Sequence, residues 1–85
     1  MEYKDTRVMA NEIRNEIDNY IARNISRQKL TEFIREILAI EQNKKKIFKV
    51  KGLSATVETV LGKERLSLFK EILKQLGFDI SNSLT

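Results

Sequence analysis

Cysteine, histidine, tryptophan and proline are all absent from this 85-residue chain, and glycine occurs only three times. Without cysteine there are no disulfides and no thiolate metal sites, so so short a chain must be held by helix packing or by a partner. Without histidine it has no general base of the usual kind at neutral pH, and the missing thiols complete the loss of the commonest zinc ligands. Catalysis would fall to Ser, Tyr, Lys, Asp and Glu. Gly52, Gly62 and Gly77 stand alone, form no phosphate-cradling loop, and read as helix punctuation. No run approaches the roughly 18 apolar residues of a membrane span, and Met1-Glu2-Tyr3-Lys4-Asp5 lacks the apolar core of a signal peptide. The resulting expectation is a cytoplasmic protein that is not an enzyme, with no metal, no cofactor and no membrane partner.

What the chain does have is charge placed unevenly. Residues 1–43 carry seven Lys/Arg against eight Asp/Glu, a net −1, whereas residues 44–85 carry nine against four, a net +5. Lys44, Lys45, Lys46, Lys49 and Lys51 are concentrated in eight positions. One half of the molecule suits a polyanion or an acidic protein surface, and the other does not.

The apolar pattern is helical. Met9, Ile13, Ile17, Tyr20 and Ile21 gather on one face of a first helix that begins near Thr6, with Thr6 or Asp5 as its cap, and ends near Asn24. Ser26 can cap a second helix, with Ile25 and Leu30 as a hydrophobic staple and Leu30, Phe33, Ile34, Ile37 and Leu38 facing inward. That helix is expected to end near Asn43. Residues 44–52 read as a connector, extended in part, with Phe48 anchoring it. Ser54 can cap a short helix with Val57, Val60 and Leu61 inward, closed by Gly62. The last helix, about Lys63 to Leu76, carries Leu66, Phe69, Ile72, Leu73 and Leu76. Gly77 suits the left-handed position after its cap, and Phe78 suits the apolar contact that accompanies it. The chain therefore reads as all-α, a small bundle of three or four short helices: an N-terminal helical hairpin followed by helix-Gly-helix. Residues 1–78 form a single domain, and 79–85 read as a patternless tail.

Several constellations bear on function. In the last helix Lys63, Lys70 and Lys74 fall within about 40° of one another around the axis, beside Ser67, a basic stripe flanking the apolar face. Together with the lysine run this geometry suits phosphates or an acidic surface; a solvated linker and ordinary surface decoration are the bland alternatives. Leu68 widens the apolar arc toward Ile72, which either the N-terminal hairpin or a partner must cover, so Leu68 and Ile72 are candidate docking residues. Helix, glycine, helix over 54–76 invites comparison with a helix-turn-helix, but Glu58, Lys63 and Glu71 occupy positions that such a motif reserves for small or apolar side chains. Glu12 and Glu16, one turn apart, read as two exposed acids rather than a catalytic pair.

Ile17-Asp18-Asn19-Tyr20, Ile25-Ser26 with Leu30, Lys46-Ile47-Phe48-Lys49, and Leu61-Gly62-Lys63-Glu64-Arg65-Leu66 with Ile72-Leu73 together resemble a group of very short proteins of phages and prophage-like elements of Gram-positive bacteria. The resemblance covers about residues 3–76 and rests on apolar spacing plus the Leu-Gly-Lys-x-Arg-Leu block. Some members of that group are recombination directionality factors, which bind a large serine integrase and turn it from insertion to excision. The resemblance implies a small helical adaptor that contacts integrase directly and DNA secondarily, with Lys63, Arg65 and Leu66 at matching positions. A small DNA-binding transcriptional regulator of a mobile element and a structural helical homodimer are the other readings.

Overall fold

The computed structural model describes residues 1–50 and 52–78, which form four helices and one two-residue-strand hairpin. The order is α1 (Thr6–Ile21), α2 (Arg27–Leu38), α3 (Glu41–Ile47), β1 (Phe48–Lys49), β2 (Gly52–Leu53) and α4 (Ala55–Gln75). The fold is the expected small, mainly helical bundle. The expected tail, 79–85, lies outside the described residues.

Local capping chemistry places the first two helices. Asp5 is extended at the start of α1 and its carboxylate accepts from the Arg7 amide at 2.8 Å, while the Ser26 hydroxyl accepts from the Lys29 amide at 3.1 Å to open α2. Each cap satisfies one of the amides that a first helical turn leaves without a partner. Ile25, just outside the second cap, packs half-buried against the core that Leu30 enters.

Helix α2 ends at Leu38 and not near Asn43. Had it continued, Asn43 would fall roughly opposite the stripe of Leu30, Ile34, Ile37 and Leu38, and Ile47 about 120° around the axis from its centre. Ile40 instead becomes extended, the chain turns, and α3 starts afresh, which buries both Asn43 and Ile47 completely. The lysine run is correspondingly not a plain connector: Lys44, Lys45 and Lys46 form the last turn of α3, where their charges complement the negative end of the helix dipole. Phe48 and Lys49 then pair antiparallel with Leu53 and Gly52, and Ser54 extends the ladder by donating its amide to the Ile47 carbonyl at 2.8 Å.

Gly62 divides α4 into two arms, 55–61 and 63–75, through a backbone of φ 76° and ψ 170° that an L-residue with a Cβ adopts only under strain. Ser54 stands at the helix start, though its side chain makes no capping bond. At the far end Leu76 is the cap residue, and Gly77 is left-handed at φ 98°. The Gly77 amide donates to the Lys74 carbonyl at 3.0 Å and the Phe78 amide to the Leu73 carbonyl at 2.9 Å, which is the Schellman pattern.

One core joins these elements. Met9, Ala10, Ile13 and Ile17 of α1 meet Val57, Leu61, Phe69, Ile72 and Leu73 of α4, and α1 is the helix on which α4 chiefly packs. Leu30, Ile34, Ile37 and Leu38 close the core from α2, with Ile47 and Leu53 sealing one end. Each fully buried side chain of this size contributes about 1.5–3 kcal/mol relative to exposure. Tyr3 belongs to the same core, held there by Asn43.

Candidate functional site

The lysine-bearing turn of α3 lies against the C-terminal end of the helix that carries the second set of lysines. The Phe48 ring, at the base of the hairpin, stacks on Phe78 with centroids 5.2 Å apart and planes inclined by 21°. The Lys44 ammonium lies over the same Phe78 ring, 5.4 Å from its centroid. Because Phe78 follows directly on the capped end of α4, this aromatic contact ties the lysine-bearing turn of α3 to the helix that carries the lysine stripe. Such a contact between a cation and a ring face also holds the ammonium in place without neutralising it.

Lys45, Lys49, Lys63, Lys70 and Lys74 are exposed, and Lys44 and Lys46 are half-buried. Lys51 lies outside the described residues. Among the described residues no lysine of this set pairs with a carboxylate; the one ion pair joins Arg65 to Asp18. Glu64 and Glu71 sit about 80–100° around the distal arm from Lys63, so the stripe is not interleaved with acids.

Three other candidates are engaged within the fold, and for Leu68 and Ile72 this follows the alternative in which the chain itself covers the apolar arc. Arg65 is not a free contact residue: its Nε donates to Asp18 Oδ1 at 2.7 Å and its Nη2 to Asp18 Oδ2 at 3.3 Å. A third donor, Nη1, reaches the Leu61 carbonyl beside the break in α4 at 3.2 Å. Ile72 is fully buried, so its apolar surface is already used inside the core, and Leu68 is half-buried against that core. The apolar arc of α4 packs chiefly on α1, which leaves the lysines as the prominent exposed feature of the distal arm.

On the acidic side, Glu12 and Glu16 point to different partners. Glu12 accepts the Tyr3 hydroxyl at 2.8 Å, and Glu16 accepts from the Asn19 amide nitrogen at 2.9 Å, so each carboxylate is engaged by its own local donor. No three His, Cys, Asp or Glu side chains among the described residues converge as metal ligands. Glu58, Lys63 and Glu71 are exposed, which leaves the surfaces that two helix-turn-helix helices would press together facing solvent. No described helix is long and apolar enough to cross a membrane.

Two features escaped the sequence reading. Asn43, lost in a lysine-rich stretch, is a fully buried amide whose backbone partners include two groups at the N-terminus, the Tyr3 amide and the Met1 carbonyl, far away in sequence. The turn between α1 and α2 is a second basic element: residues 19–31 contain Arg23, Arg27 and Lys29 and no acid at all, within the half of the chain that is otherwise acidic. That local charge count was the signal available.

Residues 1–74 match the family CLB_0814_fam, described as a conserved hypothetical protein and named after a Clostridium gene. The match takes in every element up to the last turn of α4, and the chain belongs to this family. Its name is consistent with a protein of Gram-positive bacteria. No curated protein and no solved structure matches the chain.

Proposed function

We propose that this member of the conserved family is a non-catalytic accessory protein that acts by binding, through the lysines of α3, β1 and the distal arm of α4. Its partner in this reading is a large serine integrase of a phage-like element, which it biases from insertion toward excision in the cytoplasm. The observation that supports the binding reading is the Phe48–Phe78 stack with Lys44 above it, since this contact brings the lysine-bearing turn of α3 against the C-terminal end of the helix on which Lys63, Lys70 and Lys74 lie. The integrase comes from the resemblance of the apolar spacing and the Leu61–Leu66 block to short phage-element proteins, and the Gram-positive connection of the family supports it.

A second reading, a DNA-binding regulator, is favoured by the same lysines, because cations without a described carboxylate partner suit phosphates equally well. The two are separated by recombination of attL with attR by integrase, with and without this protein, alongside a gel shift on bare DNA at physiological salt. Stimulated excision with little bare-DNA binding is expected. Unchanged recombination together with a specific shift would transfer the assignment to the regulator, and neither effect would leave a structural homodimer. Lys63→Glu with Lys70→Glu is expected to weaken the interaction while leaving Tm nearly unchanged, since both side chains are exposed. If phosphates are the target, the salt dependence of binding falls by about two counterions.

A further inference from the structure

We propose that the α1–α2 turn is a second docking surface, built to take an acidic peptide segment of a partner protein that also presents a bulky apolar side chain. None of the lysines of α3, β1 or α4 lines this surface.

Its floor and rim have different chemistry. Ile21, the last residue of α1, is 60% exposed, and with the half-buried Tyr20 and Ile25 it floors an open groove of about 580 Å³. Arg23, Asn24 and Ser26 complete the lining. Arg27 stands alongside, half-buried, its guanidinium 6.0 Å from the centroid of the Tyr20 ring and its Nη2 donating to Gln75 Oε1 at 3.4 Å, so Arg23 is the exposed cation of the groove. An aliphatic floor gains free energy only by covering itself with another apolar group, whereas an arginine rim favours carboxylates and repels basic partners. An apolar centre bordered by arginine is the composition of a protein-binding patch. Nucleic acid fits less well: Ile21 and Ile25 offer no base a stacking surface, and Arg27 already attends the one aromatic ring.

The backbone supplies an independent argument. Helix α1 ends as α4 does, in a Schellman pattern: the Arg23 amide donates to the Tyr20 carbonyl at 3.0 Å and the Asn24 amide to the Asn19 carbonyl at 2.8 Å. In α4 the left-handed position of this pattern is filled by Gly77, but in α1 it is filled by Arg23, at φ 67°. A left-handed backbone is unfavourable for any residue with a Cβ, so the turn carries strain that a glycine would remove. Arg23 is the only non-glycine among the described residues with positive φ, and it is exposed and lines the groove. Strain retained at an exposed cation beside an exposed isoleucine is explained if the guanidinium is needed for contact.

The test is selection of a random peptide library displayed on phage against the immobilised full-length protein, followed by affinity measurement on the selected peptides. Enrichment of sequences combining Asp or Glu with Leu, Ile, Phe or Trp is expected. Arg23→Gly should lower their affinity at least about tenfold while raising Tm by a few degrees, because relief of strain and loss of the contact go in opposite directions. Ile21→Glu should abolish binding with Tm nearly unchanged, and Lys63→Glu with Lys70→Glu should leave it intact, which separates this surface from the proposed integrase or DNA contact. No enrichment, selected peptides lacking acids or apolar residues, or affinity indifferent to Arg23→Gly would each overturn the proposal. So would Arg23-dependent binding seen only with a DNA oligonucleotide.

Discussion

Arg65 on the distal arm of α4 grips Asp18 on α1 with two donors, at 2.7 and 3.3 Å, across 47 residues of sequence. The same guanidinium touches the Leu61 carbonyl, so one side chain spans the helix break and the interface between the two helices that share most of the core. Both partners are part-exposed, at 30% and 43% for Arg65 and Asp18. Arg65→Ala and Asp18→Ala should therefore each lower Tm modestly and non-additively, and the coupling should shrink in high salt, as screened surface pairs do. A double-mutant cycle of denaturant melts at low and high NaCl checks this; fully additive losses would mean that the pair is only a contact of convenience.

Asn43 should prove far more costly to lose. Its Oδ1 accepts the Tyr3 amide at 2.8 Å, and its Nδ2 donates to the Met1 carbonyl at 2.8 Å and the Ile37 carbonyl at 3.2 Å, all from a fully buried position. Asn43→Ala strands these groups and is expected to destabilise by about 2–4 kcal/mol in urea or thermal melts. Asn43→Asp keeps the acceptor but, when ionised, has no donor for the two carbonyls. Burial and those carbonyls favour its protonated form in the fold, raising its folded pKa above the unfolded value near 3.9, so the variant should regain stability as pH falls. A variant whose deficit is the same at pH 7 and pH 4 would contradict this account.

Tyr3 should link the stability of the fold to strongly alkaline pH. Its burial and its hydrogen bond to Glu12 push the phenol up to about 12, from an ordinary value of 10.0. The folded pKa is the higher one, so the contribution is complete below pH 10 and is lost as pH rises through about 12. Absorbance of ionised tyrosine followed together with helicity should show a late phenol ionising as structure is lost, and Tyr3→Phe should remove that late step. A Tyr3 that ionises near pH 10 in the intact fold would show the hydroxyl to be free.

Two apolar residues of α4, three positions apart, should separate core from margin. Phe69 is completely buried, and Phe69→Ala is expected to cost about 3–5 kcal/mol. Leu66 only packs against that core from a half-buried position, so Leu66→Ala should cost roughly half as much or less. Equal losses in denaturant melts would mean that Leu66 is covered as thoroughly as Phe69.

The parts of this fold that were legible in the chain are those decided by neighbours within about one helical turn. Asp5 and Ser26 cap from their own positions, the Gly62 break and the Gly77 terminus need only glycine's access to positive φ, and the inward stripes of α1, α2 and the distal arm follow from 3.6-residue periodicity. The surplus of lysine after residue 43 was equally plain.

What the tertiary structure alone decided involves partners far apart. Helix α2 stops at Leu38 because Ile47 and Asn43 must turn inward toward a core and an N-terminal segment that no local window contains, Tyr3 being 40 residues from Asn43. Arg65 was indistinguishable in sequence from the lysines around it, and only the packing of α4 on α1 turned it from a candidate contact into an internal tie. Spacing sorts side chains around one helix, but burial and charge pairing are set by which helices meet, and that depends on contacts the chain makes only once folded.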